Sequence, residues 1–279
     1  MSKNSFNPPI SNEYAIRLTD LAYYRILPDR SPLQILKDIN WSIKKGERWI
    51  LFGPNGAGKT TLLNIIMGIL FPSSGTAEVL GERIGRTDIW ELQKHVTWVT
   101  SSIESRIHDE DPLIEIVLSG IQAATRLFFK PNEQQIKRAA ELMNMLNLSH
   151  RYSSPWAVLS EGERRKALIA RALIIDPQIL ILDEPCEGLD LGSREKFLSD
   201  LDELIKQKND LTVIMVTHRV EEILAAFRDI LVIKEGSVLK SGNISEILTD
   251  SLLTELFSIQ ISLLRKNGRY FYSFKCTDQ

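Results

Sequence analysis

Apolar positions along the chain fall into short unbroken runs that alternate with stretches of helical spacing. Arg48-Trp49-Ile50-Leu51-Phe52, Ile179-Leu180-Ile181-Leu182 and Thr212-Val213-Ile214-Met215-Val216 show no polar alternation, which predicts strands buried on both faces of a parallel sheet. Apolar residues recur at helical spacing over 60–67, 132–146, 161–174 and 194–206, so helices are expected there. Further strand signals lie at 14–19 and 40–44, separated by the loop Leu27-Pro28-Asp29-Arg30-Ser31-Pro32, and at 76–80 and 96–100. The first hundred residues are therefore strand-rich. From Pro112 to about Ile175 the pattern turns helical, which predicts a helical unit inserted into an α/β frame. Near the end, apolar stretches at 259–264 and 269–274 flank Asn267-Gly268, a strong hairpin signal. The chain has no internal repeat.

Between the strand at 48–52 and the helix at 60–67 lies Gly53-Pro54-Asn55-Gly56-Ala57-Gly58-Lys59-Thr60, which fits the phosphate-binding pattern G-x-x-x-x-G-K-[S/T] in the strand, loop, helix order that pattern requires. Glycines let the backbone wrap a polyphosphate, and the first amides of the helix point at it with the positive end of the dipole. Lys59 is expected to reach the β- and γ-phosphates. The Thr60 hydroxyl is expected on Mg²⁺, and Thr61 beside it joins the nucleotide-binding set. The apolar run 179–182 ends in Asp183-Glu184. Ligands of parallel sheets bind at that edge, so Asp183 is expected to help hold the metal and Glu184 to activate the attacking water.

Composition narrows the partners. The formal net charge of −2 arises from 34 basic and 36 acidic residues interspersed along 279, leaving no basic stripe for nucleic acid. Direct nucleic-acid binding is not expected. No apolar stretch approaches the length of a membrane span, and residues 1–12 read as a disordered leader without a signal-peptide core. Cys186 and Cys276 lack metal or redox spacing, which fits a reducing cytoplasmic compartment. Cys186 reads as a small buried residue.

Upstream of the paired carboxylates, Leu159-Ser160-Glu161-Gly162-Glu163 opens the helix at 161–174. In isolation Ser160 and Glu163 make a capping box. With the phosphate loop and Asp183-Glu184, the segment resembles the signature of the ATP-binding cassette (ABC) ATPases, which reads L-S-G-G-Q at the start of such a helix. Glu161 and Glu163 depart from that pattern, whereas Ser160, Gly162 and the downstream Ala170-Arg171-Ala172-Leu173 match it. Glu187-Gly188-Leu189-Asp190 and Thr217-His218 follow in the family's order. The resemblance covers about 14–245. It implies an α/β P-loop NTPase (RecA-like) core with an antiparallel β subdomain and an inserted helical subdomain at about 102–175, a cassette over 13–245, and a C-terminal helix and hairpin extension over 246–279.

The resemblance also implies a function: binding and hydrolysis of ATP with Mg²⁺, within a head-to-tail homodimer. Ser160 and Gly162 would contact the γ-phosphate held by the second subunit, Asp190 would reach across the dimer, and His218 would contact the γ-phosphate from its own side. Glu161 and Glu163 would add negative charge near that phosphate and weaken closure, unless their side chains point away. A small-molecule P-loop kinase would share Gly53 to Thr60 but leave Leu159 to Glu163 unexplained. The favoured use is energising a transporter with separate integral membrane subunits, which places the chain in the cytoplasm and peripherally on the cytoplasmic face of the membrane. The alternative is a soluble, non-transport ABC ATPase acting on a DNA-repair or translation complex.

Asn40-Trp41, Asp88-Ile89-Trp90-Glu91-Leu92, the string from Thr217 to Ile223 and that from Asp183 to Asp190 further resemble the molybdate-transport or photorepair-type branch. Two departures stand out. Thr100-Ser101-Ser102 occupies the place of the glutamine that relays closure to a membrane partner. The adenine-stacking aromatic aligns with Arg25, whose guanidinium can also stack; a shift of register would bring in Tyr23 or Tyr24 instead.

Overall fold

The computed structural model describes residues 13–274; the expected leader, 1–12, and Cys276 lie outside them. The chain opens with β1 (Tyr14–Ile26), β2 (Pro32–Lys44) and β3 (Arg48–Phe52), followed by α1 (Lys59–Ile66), β4 (Ser74–Val79), β5 (Glu82–Arg83), α2 (Ile89–Leu92) and β6 (Val96–Val99). The helical part contains α3 (Leu113–Ser119), α4 (Glu133–Met145) and α5 (Glu161–Leu173). The chain then returns through β7 (Ile179–Asp183), α6 (Leu191–Gln207), β8 (Thr212–Thr217), β9 (Asp229–Lys234) and β10 (Ser237–Asn243). It ends in α7 (Ile244–Ile247), α8 (Asp250–Phe257), β11 (Ile261–Lys266) and β12 (Arg269–Phe274).

Two sheets carry the frame. The central one has the order β10-β9-β3-β8-β7-β6, with β10 antiparallel to β9 and the other neighbours parallel. An antiparallel sheet of order β2-β1-β4-β5 stands beside it. Because side chains alternate across a strand, the unbroken apolar runs supply both sides of the central sheet. Ile50, Phe52, Leu180, Leu182, Val213 and Met215 enter a core shared with α3, α4, α5 and α6. Trp49, Leu51, Ile179, Ile181, Ile214 and Val216 enter a second core with α1 and the antiparallel sheet.

Strand ends differ from expectation where the backbone breaks its own period. β1 continues past 19 to Ile26, and β2 begins at Pro32 rather than 40, so the two strands run up to the expected loop itself, a turn closed by the Leu27 amide on the Ser31 carbonyl at 2.9 Å. Bulges between Leu18 and Leu21 and between Tyr23 and Tyr24, with Asp20 at φ 46° and Asp38 at φ 48°, shift the faces and erase the alternation a sequence reading needs. The strands β9 and β10 were not legible either. Their connection turns at Glu235-Gly236, both at positive φ, without the Asn-Gly or Asp-Gly pair that marks a hairpin most strongly. The terminal hairpin does carry that pair, with Asn267 at φ 51° and Gly268 at φ 75° as in a type I′ turn. Its first strand starts at Ile261, two residues later than expected.

Candidate nucleotide site

Three parallel strand ends build the site. Register pairs Phe52 of β3 with Thr217 of β8, and Val216 of β8 with Asp183 of β7. The residues that follow each strand therefore emerge side by side, although they are far apart in sequence. The loop from Gly53 to Gly58 leads into α1, which has neither a side-chain cap nor an acidic residue in its first turn. Its first amides thus remain available to an anion. Two glycines are required for packing. A Cβ on Gly53 would lie 2.3 Å from the Ile233 carbonyl oxygen, and Gly58, at φ 103°, would bring one 2.8 Å from Leu36 Cδ2.

Lys59 is 6% exposed, and its ammonium donates to the carbonyls of Gly53 at 2.8 Å and Pro54 at 3.0 Å. It also lies 3.8 Å from Glu184 Oε1. Burial pulls its pKa below the usual lysine range, while the carboxylates of Glu184 and Asp183 act in the opposite sense. Asp183, at the end of β7, is pushed up to about 6 by burial and by the neighbouring Glu184 carboxylate, against the attraction of Lys59. Glu184 holds a left-handed backbone, φ 48°, and its amide donates to the Val216 carbonyl at 3.0 Å. That conformation is uncommon outside glycine and asparagine and is held here by the neighbouring strand. Its Oε1 lies 3.3 Å from His218 Nδ1. Lys59 and His218 therefore both approach Glu184 Oε1, with Asp183 and the phosphate loop beside them.

The other expected residues lie elsewhere. Ser160 caps α5, and its hydroxyl accepts from the Glu163 amide at 3.3 Å. The Glu163 carboxylate accepts from the Ser160 amide at 2.9 Å, from its hydroxyl at 3.0 Å and from Arg151 Nε at 2.9 Å. Burial opposes its ionisation, yet Arg151 and the Ser160 donors hold it at about 2. Its charge is thus taken up by local partners. Glu161 is exposed, and a Cβ on Gly188 would stand 3.5 Å from its Oε2. Gly162 is buried facing Ser193. The Asp190 carboxylate caps α6, accepting from the amides of Gly192 at 2.8 Å and Ser193 at 3.1 Å. Arg25 and Tyr24 are exposed on β1, whereas Tyr23 packs against the core under the antiparallel sheet. Cys186 is buried, and burial pushes its thiol up, as expected for an inert side chain.

Sequence reasoning missed the ionic ties between these groups, because a basic residue on a helix reads as a solvated face. Arg165 of α5 reaches Glu104 at 2.6 Å, within the 3-10 segment Ser101–Arg106, and also donates to the Glu187 carbonyl at 3.2 Å. Lys166 is buried against Asp200 of α6 at 2.9 Å.

Comparison with known proteins places this geometry in a family. The family model described as ABC transporter matches residues 36–187, more than half of the chain. An uncharacterised ABC transporter ATP-binding protein of Bacillus subtilis (strain 168), YlmA, is 40% identical over 238 residues, covering 85% of this chain and 90% of its own. Among solved structures, cbiO1 from Clostridium perfringens, described as part of the ABC transporter complex cbiONQ, superposes with a TM-score of 0.74 at 28% identity, covering 88% of this chain and 94% of that one. The cassette MJ0796, in a dimeric post-hydrolysis state bound to ADP and Pi, gives 0.68 at 26% identity and covers 82% of this chain and 98% of that one. None of these is described as molybdate-transport or photorepair-type, so the narrower branch is not supported, and the non-transport alternative is not favoured. The chain belongs to the ATP-binding cassettes of ABC transporters, ATP-hydrolysing subunits that energise transport.

Proposed function

We propose that ATP is bound with its phosphates against Gly53 to Thr61 and hydrolysed with Glu184 as general base. The observation that carries this reading is Glu184 itself, fixed in a left-handed conformation between Lys59 at 3.8 Å and His218 at 3.3 Å. Lys59 would exchange the carbonyls of Gly53 and Pro54 for the β- and γ-phosphates. His218 would orient the γ-phosphate and hold the Glu184 carboxylate toward the attacking water. No cluster of three or more His, Cys, Asp or Glu side chains able to hold a metal occurs among the described residues, which suits Mg²⁺, an ion that relies on phosphates and water as much as on protein. Thr60 and Asp183 would hold it, and the buried, hard-to-ionise Asp183 beside a second carboxylate fits a cation. When bound, Mg²⁺ neutralises charge across the β- and γ-phosphates.

A head-to-tail homodimer would bring Ser160, Gly162 and Asp190 to the site of the second subunit; the dimeric ADP-bound relative supports this reading. The adenine would stack on Arg25, with Tyr23 or Tyr24 as the other choices. Separate integral membrane subunits would complete the transporter, since no helix among the described residues is long and apolar enough to cross a membrane. They would dock on the helical part, where a cavity of about 450 Å³ is lined by Glu104, Ile107, His108, Asp109, Trp156 and Arg164. Phe128, on the same helical part, is 75% exposed. This assembly would lie on the cytoplasmic face of the membrane.

The test is Glu184→Gln, assayed for ATP binding and for turnover. Binding should persist while turnover falls roughly 10²- to 10⁴-fold, the range general-base catalysis supplies. Near-normal turnover would remove Glu184 from the mechanism.

A further inference from the structure

The β11–β12 hairpin contributes nothing to the site described above, yet it is tied to the segment that carries His218. Tyr270, 6% exposed, enters the larger core together with Ile261 and anchors the hairpin. Alternation along β12 sends the preceding residue, Arg269, to the other side. There its guanidinium donates to Glu195 of α6, Nη1 to Oε2 at 3.1 Å and Nη2 to Oε1 at 3.4 Å. Nη2 also donates to the Glu221 carbonyl. Glu221 belongs to the 3-10 turn Val220–Glu222, directly after His218-Arg219. Arg194 closes the cluster, 3.6 Å from Glu195 Oε1 and 3.9 Å from Glu221 Oε1.

The turn is therefore held at two points. On the inside the Thr217 hydroxyl donates to the buried carboxylate of Glu222. On the outside Arg269 binds the turn's backbone and α6 at once, and α6 is the helix that Asp190 caps. His218 has no such packing on its outer side. A cavity of about 410 Å³ opens there, lined by His218, Arg219, Leu253, Phe257, Tyr272 and Phe274. The β7–β8 register brings the backbones of Glu184 and His218 together, and with open space on that side the anchor at Glu221 is a second restraint on where the imidazole stands.

We infer that Arg269 is a positioning residue for ATP hydrolysis, locking the turn after His218 to α6 so that the histidine stays within reach of Glu184. The fork of the guanidinium suits this task, since it binds a carboxylate and a carbonyl in one fixed geometry that a lysine cannot reproduce. The inference rests on the reading of His218 as a hydrolysis residue.

The test uses the full chain and steady-state ATPase kinetics, with nucleotide affinity and thermal unfolding measured alongside. Small misplacements of a reacting group carry large rate penalties, so Arg269→Ala should lower kcat about tenfold while ATP affinity stays within about twofold. Arg269→Lys should fall between the two, and Arg269→Ala should add nothing in a His218→Ala background. Unchanged kcat in folded Arg269→Ala, kcat and affinity falling together, or losses that multiply with His218→Ala would each overturn the inference. Should Arg269→Ala fail to fold, Glu195→Gln removes the guanidinium's charged partner. A several-fold loss of kcat at unchanged affinity is then expected, and wild-type kcat overturns the proposal. Normal turnover in His218→Ala would instead sink the role of His218, whereas a defective His218→Ala beside a normal Arg269→Ala would sink only the positioning role.

Discussion

Replacing Asp183 by asparagine should make the nucleotide-free protein more stable while abolishing its response to MgATP. The carboxyl sits at the end of β7, where burial and then the adjacent Glu184 carboxylate push it from 3.8 to about 6. At about 1.4 kcal/mol per pH unit, that displacement means the ionised carboxylate destabilises the folded state at pH 7 by up to about 3 kcal/mol. The sign follows from linkage. A carboxyl raised on folding binds its proton more tightly in the native state than in the unfolded chain, so the penalty is complete above about 6 and fades as the pH falls toward 3.8. Asparagine carries no charge at any of these pH values. In chelator and without nucleotide, Asp183→Asn should therefore raise the melting temperature at pH 7 by roughly 5–10 °C for a chain of this size. The gain should shrink to near zero by about pH 4. Measuring variant and wild type at each pH cancels the other titrating groups. Added MgATP should stabilise the wild type by mass action and the variant hardly at all. A gain of equal size at both pH values, or a less stable variant at pH 7, would refute the argument that burial of this charge is the cause.

Two further outcomes follow from the ties around α5. Glu163→Gln keeps a side chain able to complete the capping box but loses the ion pair with Arg151, so stability should drop by about 1 kcal/mol at pH 7. Because the Glu163 carboxyl is held at about 2, below the 4.5 of an unperturbed glutamate, that difference should persist above pH 4.5 and vanish as the pH falls toward 2; equal melting temperatures at pH 7 would show the pair to be inert. Asp200→Ala leaves the Lys166 ammonium, 4% exposed, without its carboxylate, and urea unfolding should report a loss of about 3–5 kcal/mol. Lys166→Met with Asp200→Leu should recover most of it, and a double variant as unstable as the single would sink the account.

The sequence disclosed those parts of the site whose chemistry is local. A phosphate loop is one contiguous string because one backbone segment must wrap the phosphates, and Asp183-Glu184 closes a run that could only be a buried strand. What was hidden depends on register or on long-range pairing. The reach of β1 to Ile26 was masked by bulges that move side chains between faces. The helix α3 has Leu113, Ile114, Ile116, Val117 and Leu118 all buried, so it carries no polar face from which a period could be read. The proximity of Glu184 to His218 came through resemblance, because 34 residues separate them and only the β7–β8 register brings them together. Arg269 had no sequence signal at all, since its partners come from α6 and from the turn after β8.

The site also departs from the comfort of the sheet that carries it. The central sheet is saturated, with nearly every side chain of β3, β7 and β8 buried in one core or the other. At its edge the chain instead accepts a left-handed glutamate, a carboxylate whose ionisation burial opposes and a lysine whose charge burial opposes. The last two would be relieved by a nucleotide with its cation: the lysine gains phosphates, and the aspartate gains a counter-charge. A site of this kind stores strain that binding releases, so ligand affinity and ligand-induced stabilisation should rise together. The two cores supply the stability against which that strain is held. A variant that relaxes the edge, as Asp183→Asn does, should on this reasoning stabilise the protein for the same reason that it disables it.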